Sequence, residues 1–236
     1  MTHDDLKETK NRRGFIGTLA TGAAALGLAT LASPFKLQAQ QKPPKAPVKA
    51  TNPADEWFNK IHGKHRMIYD SPHPNEVFPF AWPRVFLMTN SATGTPENDC
   101  SVVVVLRHAS IGYAMEDRLW AKYKFGEMFK ADDPQTKAPS VRNPFWNPKP
   151  GDFKIPGIGN VQIGINELQA SGVMFCVCDA ALTVFSAVAA EKMGQEAADV
   201  KKEWVAGLLP GIQVVPSGVW AIGRAQEHGC QYCYAG

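Results

Sequence analysis

Apolar residues fall along the chain in two periods. Ser101, four valines and Leu106 form an unbroken run that ends in Arg107-His108. Such a β-branched run fits a strand buried on both faces, as in a parallel sheet. Val173-Met-Phe-Cys-Val177 and Ile212-Gln-Val-Val215 repeat the pattern, the second closed by Pro216-Ser217-Gly218. Residues 66–69 predict a first strand and residues 231–234 a last one. Between the strands the period becomes helical. Residues 115–125 carry Leu119, Trp120 and Tyr123 at helical spacing, and residues 161–170 carry Ile165 and Leu168 on the face of Val161. Residues 180–193 are rich in alanine, a strong helix former, and Gly194 supplies a stop. Residues 197–208 end before Pro210-Gly211, and residues 219–227 before His228-Gly229. Strands alternating with helices predict βαβ units, hence one α/β domain whose mostly parallel sheet carries helices on both faces.

Two stretches break this alternation. Residues 130–159 hold Pro134, Pro139, Pro144, Pro148, Pro150 and Pro156, with Phe145 and Trp146 among them. Loops this long inside a compact domain are uncommon and often functional. The insert reads either as a surface elaboration whose aromatics pack on the core or as a lid over a site at the sheet edge. The other stretch is the N-terminus. Asn11-Arg12-Arg13-Gly14-Phe15-Ile16 precedes an uncharged run of small and apolar residues from Thr18 to Ala32. This is the layout of a signal peptide, and the paired arginines followed by Phe-Ile resemble the twin-arginine export signal. Cleavage after Ala39 would leave no membrane span. The alternative is an uncleaved anchor, although the run is shorter than the roughly 20 residues a span needs. The organisation expected is a signal at 1–39, a flexible linker rich in Pro, Lys and Ala at 40–60, and a folded domain at 61–236.

Hydrophobic residues make up 44% of the 236 residues, enough for a substantial core. The formal charge is +3, and without residues 1–39 it is 20 basic against 19 acidic, about +1. A nearly neutral domain gives no footprint for nucleic acid. The chain contains no Gly-x-Ser-x-Gly elbow, no His-Glu-x-x-His and no P-loop, so the sequence offers little support for a hydrolase.

Candidate chemistry lies at strand ends, because ligands of open parallel sheets bind outside the carboxyl ends of the strands. His108 follows the second strand, Cys178-Asp179 the third, and Ser217-Gly218 the fourth. Cys178 stands where a strand turns into a helix, a position that favours a thiolate. It could serve as nucleophile, redox centre or sulfur carrier, or be a small buried hydrophobe. Alternation along the strand sets Cys176 on the face of Cys178. Cys230-Gln-Tyr-Cys233 makes a second pair, and the four sulfurs would suffice for a tetrahedral metal or an iron–sulfur cluster. Disulfides or free thiols are the alternative. Five cysteines leave at least one unpaired, Cys100 or another. His62, His65 and His73 lack the spacing of a helix-borne metal motif and read as solvated or structural.

The order of these features resembles one family. A strand ending in His, a strand ending in Cys before a small-residue helix, Leu209-Pro-Gly-x-x-Val-Val-Pro-Ser-Gly-Val219 and Ala225-Gln-Glu-x-Gly-x-x-Tyr232 are similar to the DsrE/DsrF-like proteins of sulfur metabolism. The likeness spans roughly residues 64–236 and points to the uncharacterised branch of that family. It implies a flavodoxin-like three-layer sandwich of about five parallel strands, assembled as homo-oligomers, often trimers or hexamers. It also implies that Cys178 takes the place of the persulfide-bearing cysteine after the third strand. His108 matches a histidine at the end of the second. Export to the periplasm, the Pro-rich insert, Cys176 and the terminal Cys-x-x-Cys depart from the family's basic pattern. Three functions are therefore expected as rivals: a sulfur carrier, a metal or iron–sulfur module on Cys176, Cys178, Cys230 and Cys233, and a non-catalytic oligomeric scaffold.

Overall fold

The computed structural model describes residues 52–236, so the expected signal and most of the linker lie outside the described residues. Five parallel strands form the sheet: β1 (His65–Ser71), β2 (Cys100–Leu106), β5 (Met174–Cys178), β6 (Ile212–Val215) and β7 (Gln231–Tyr234). Their order across it is β6-β5-β2-β1-β7. Helices cover both faces, giving the three-layer, flavodoxin-like sandwich. The order of these strands is its own: in sequence of appearance it reads 4-3-2-1-5, where flavodoxin reads 2-1-3-4-5.

The path of the chain explains the layers. From β1 through β2 and β5 to β6 the chain always steps in one direction, then crosses back to β7 beyond β1. Right-handed crossovers put connections that step the same way on one face and the returning one on the other. Accordingly α2 (Phe78–Ala92), α3 (Asp117–Tyr123), α4 (Phe125–Phe129), α5 (Ile165–Ala170), α6 (Asp179–Met193) and α7 (Ala197–Ala206) serve one face. There Val102, Val104, Leu106, Phe175 and Val177 meet Phe80, Leu119, Trp120 and Leu182. The opposite face holds α8 (Gly218–Glu227) and α1 (Pro53–Phe58), whose Ala221, Ala225, Trp57 and Phe58 pack on Ile68, Val103, Val105 and Val215. Both sets of β2 valines are buried, as the unbroken run requires.

Two elements were not legible as such. Helix α1 falls inside the stretch expected to be linker. Asn52 caps it by accepting from the Ala54 N–H at 3.0 Å, and Trp57, Phe58 and Ile61 are buried. The folded domain therefore starts by residue 53, not 61. Helix α2 carries Pro79 in its first turn and Pro83 inside it, which hides the helical pattern. Its Phe80 and Leu87 still bury fully.

The Pro-rich insert is fastened to the core. Asn143 donates from Nδ2 to the carbonyls of Tyr113 (2.8 Å) and Met115 (3.0 Å), and its N–H donates to Asp117 (2.8 Å). Phe145 is fully buried between Phe80 and Phe153. A short antiparallel hairpin, β3 (Lys154–Ile155) and β4 (Gly159–Asn160), forms its tip. Among the described residues no helix is long and apolar enough to cross a membrane.

Candidate functional site at the carboxyl ends of β2, β5 and β6

Parallel register brings the strand ends level. Leu106 of β2 pairs with Val177 of β5, and Cys178 pairs with Val215 of β6. The helix after β5 lies on one face and the helix after β6 on the other, so the carboxyl edge splits open between these two strands. That is the switch point where open α/β sheets bind ligands. A crevice of about 330 Å³ lies there, lined by Arg107, His108, Cys178, Ala180, Ala181, Val184, Phe185, Ser217, Gly218 and Val219. Four of the residues expected at the site, His108, Cys178, Ser217 and Gly218, thus meet in one place.

Each is held by local chemistry. Cys178 is the N-cap of α6, and its Sγ accepts from the Ala181 N–H at 3.3 Å. It is 6% exposed. Ser217 caps α8 by accepting from the Trp220 N–H at 3.2 Å. The first-turn N–H groups of α8, on Gly218 and Val219, have no acceptor within the helix. Gly218 must be glycine because a Cβ there would stand 2.6 Å from Cβ of Arg107 and 2.7 Å from its Cδ.

His108 adopts φ of 50°, the left-handed region that a non-glycine residue occupies at a cost of about 1 kcal/mol. The turn is locked against the end of β1. The Arg107 N–H donates to the Ser71 carbonyl (3.1 Å), the Ala109 N–H to the Pro72 carbonyl (2.9 Å), and Ser110 Oγ also donates to the Ser71 carbonyl. This conformation leaves the imidazole exposed, 5.1 Å from the ring of His73 and 5.4 Å from that of Phe185.

Arg107 is a wall of the crevice that sequence reasoning passed over. Its Nε and Nη2 donate to the two oxygens of Asp70 at 2.6 and 2.9 Å. Asp70 is 2% exposed and also accepts from the Tyr232 hydroxyl at 2.9 Å. Donating to the Asp70 carboxylate holds the Arg107 guanidinium above its ordinary pKa. Asp70 and Val105 are register partners in β1 and β2, and Arg107, two residues on, shares the side of Val105; the pairing depends on strand register and left no signal in the sequence. His73, just past β1, is exposed at the same edge and does not line the crevice. His62 and His65 lie at the amino end of β1, and the His62 ring bonds the Lys60 carbonyl.

The remaining expected site residues lie elsewhere. Asp179 turns out of the crevice and forms an ion pair with Lys201 at 2.8 Å. Cys176 and Cys178 do not share a face. Cys176 points into the layer under α1 and α8, whereas the chain leaves the strand at Cys178 to cap α6 and swings that sulfur to the other side. Cys230 and Cys233 are likewise divided, because a spacing of three reverses the side. β5 and β7 are separated by β2 and β1, three interstrand steps or roughly 14 Å. The four sulfurs therefore do not converge, all five cysteines are free thiols, and no group of three or more potential metal ligands occurs among the described residues. Burial pushes the Cys176 thiol far up in pKa and the Cys230 thiol to about 11.

The Pro-rich insert contributes no residue to the Cys178 crevice. It lines two other cavities of about 350 and 520 Å³, which share Glu76, Val77, Pro134 and Lys137.

Fold and crevice together define an α/β sandwich with a capped thiol, an imidazole and two helix N-termini at the sheet's switch point. No family model matches the chain, and no curated protein matches it. Among solved structures, a protein of unknown function from Methanobacterium thermoautotrophicum is similar over 72% of this chain and 99% of its own. The identity is 18% and the TM-score 0.37, so the likeness adds nothing to the reading of the site.

Proposed function

We propose that this protein is an exported sulfur carrier of the DsrE/DsrF-like kind, holding sulfur as a persulfide on Cys178. The observation that supports the reading is the meeting of His108, Cys178 and the Ser217-Gly218 helix start in one crevice at the switch point. Chemistry gives each residue a role. Cys178 bears the sulfur. Its partly recessed position shields a persulfide from bulk oxidants while leaving one open side. The uncommitted first-turn N–H groups of α8 supply partial positive charge for a terminal sulfur anion. His108, exposed at the rim, carries the proton that leaves or returns as sulfur is exchanged. The strained backbone at His108 fits a residue retained for its work at the site.

The same proposal includes export by the twin-arginine machinery to the periplasm, supported by Arg12-Arg13 and the apolar run after it. It also includes assembly as a homo-oligomer. Beyond the crevice, Ala187 and Val188 extend the exposed apolar side of α6, and such a face is suited to burial against a second copy that leaves the crevice open.

The test is sulfur loading. Purified protein is incubated with a sulfane donor and the bound sulfur is displaced by cyanide as thiocyanate. Wild type should release one equivalent and Cys178→Ala none, with His108→Ala loading slowly. Full loading of Cys178→Ala would refute the proposal.

A further inference from the structure

The walls of the crevice select among sulfur donors. Resting on the sulfur-carrier reading, we infer that the donor is an organic persulfide with a compact, uncharged, apolar body, and not a sulfur oxyanion or a charged peptide persulfide. Ala180, Ala181, Val184, Phe185 and Val219 are five of the ten lining residues, and the volume of about 330 Å³ is at the small end for ligand sites. Val184 and Val219 are 59% and 68% exposed, so the apolar surface continues to the mouth.

Charge points the same way. Among the described residues lining the crevice, Arg107 is the one permanent cation, and it is committed to Asp70 by two hydrogen bonds. Asp70 is 2% exposed, so drawing the guanidinium away would strand a buried carboxylate. The nearby Lys201 is taken by Asp179. A dianion such as thiosulfate would lose its hydration shell against valine and phenylalanine with no free counter-charge. The two open N–H groups at the start of α8 suit a single sulfur atom better than a trio of oxygens.

The transfer balances without a further reagent. Cys178 gives up its thiol proton and its Sγ attacks the outer sulfur of R–S–SH. The new Sγ–S bond forms as the donor's S–S bond breaks. The electron pair departs with R–S⁻, which takes the proton by way of His108. A thiol and Cys178 persulfide result, with no net oxidation.

The experiment compares three donors on the full mature protein: benzyl hydropersulfide, glutathione hydropersulfide and thiosulfate. Loading of Cys178 is followed by intact mass, and each rate is divided by that of the same donor with N-acetylcysteine to remove intrinsic reactivity. The benzyl donor should be favoured roughly tenfold or more over both others. Val219→Asp, a surface change at the wall, should abolish that preference. Equal or faster loading from thiosulfate or glutathione hydropersulfide would overturn the donor class while leaving the carrier reading intact. Failure of every donor to load Cys178 would overturn both.

Discussion

Replacing Arg107 with Met removes the guanidinium from a carboxylate that water barely reaches. Asp70 is 2% exposed and would keep the Tyr232 hydroxyl, at 2.9 Å, as its remaining side-chain donor. Breaking a buried pair from one side costs about 3–5 kcal/mol. The Arg107 side chain is 26% exposed, so water can enter behind it and the lower end applies, about 3 kcal/mol. For a domain of this size each kcal/mol lowers Tm by about 2–4 °C, giving a fall of about 6–12 °C. Removing the stranded charge as well, in Arg107→Met with Asp70→Asn, should restore about half of the loss, because the penalty lies in the unpaired carboxylate. Urea unfolding of the wild type, both single variants and the double variant at pH 7 measures this cycle. A loss under about 1 kcal/mol in Arg107→Met, or a double variant as unstable as the sum of the singles, would refute the buried-pair argument.

Other consequences follow from the packing and the thiols. Phe58→Ala should cost about 3–5 kcal/mol in urea unfolding, since the ring is fully buried, whereas a linker residue would cost nothing. Gly218→Ala should destabilise by about 1–3 kcal/mol and slow sulfur loading, because its methyl group displaces the Arg107 stem. In native protein, iodoacetamide at mildly alkaline pH should label half-buried Cys233 while Cys176 and Cys230 stay unmodified until urea is added, read by peptide mass mapping. The Cys230 thiol is raised from 9.0 to about 11 in the folded protein. Its contribution is thus complete below pH 9 and is lost as pH climbs through 11, because the unfolded chain ionises first. The urea midpoint should fall over that window, and less so in Cys230→Ala.

The strands that carry the site were legible because fully buried parallel strands leave continuous apolar runs with little ambiguity. Residues 101–106, 174–177 and 212–215 all belong to the sheet, and their ends hold His108, Cys178 and Ser217. What resisted reading depended on the third dimension. Helix α1 has six residues beside a Pro- and Lys-rich stretch, so its pattern is too short to separate from a linker, although Trp57 and Phe58 are the seal of one face. Helix α2 has prolines where a helix is expected to avoid them. The cysteine pairs misled for different reasons: strand parity holds for Cys176 but ends at Cys178, where the backbone turns to cap a helix. The insert read equally as a lid or as a surface elaboration whose aromatics pack on the core, and the second holds: its anchors, Asn143 and Phe145, tie it to Tyr113, Met115 and Phe80, away from the crevice. Arg107 gains meaning only once the order β5-β2-β1 is known.

The most direct test of the central claim is the intact mass of the protein as isolated, recorded under denaturing conditions with and without reductant. A sulfur-carrier role predicts a species heavier by one sulfur atom, lost on reduction and absent from Cys178→Ala. A bare polypeptide that no sulfane donor makes heavier at Cys178 would contradict it.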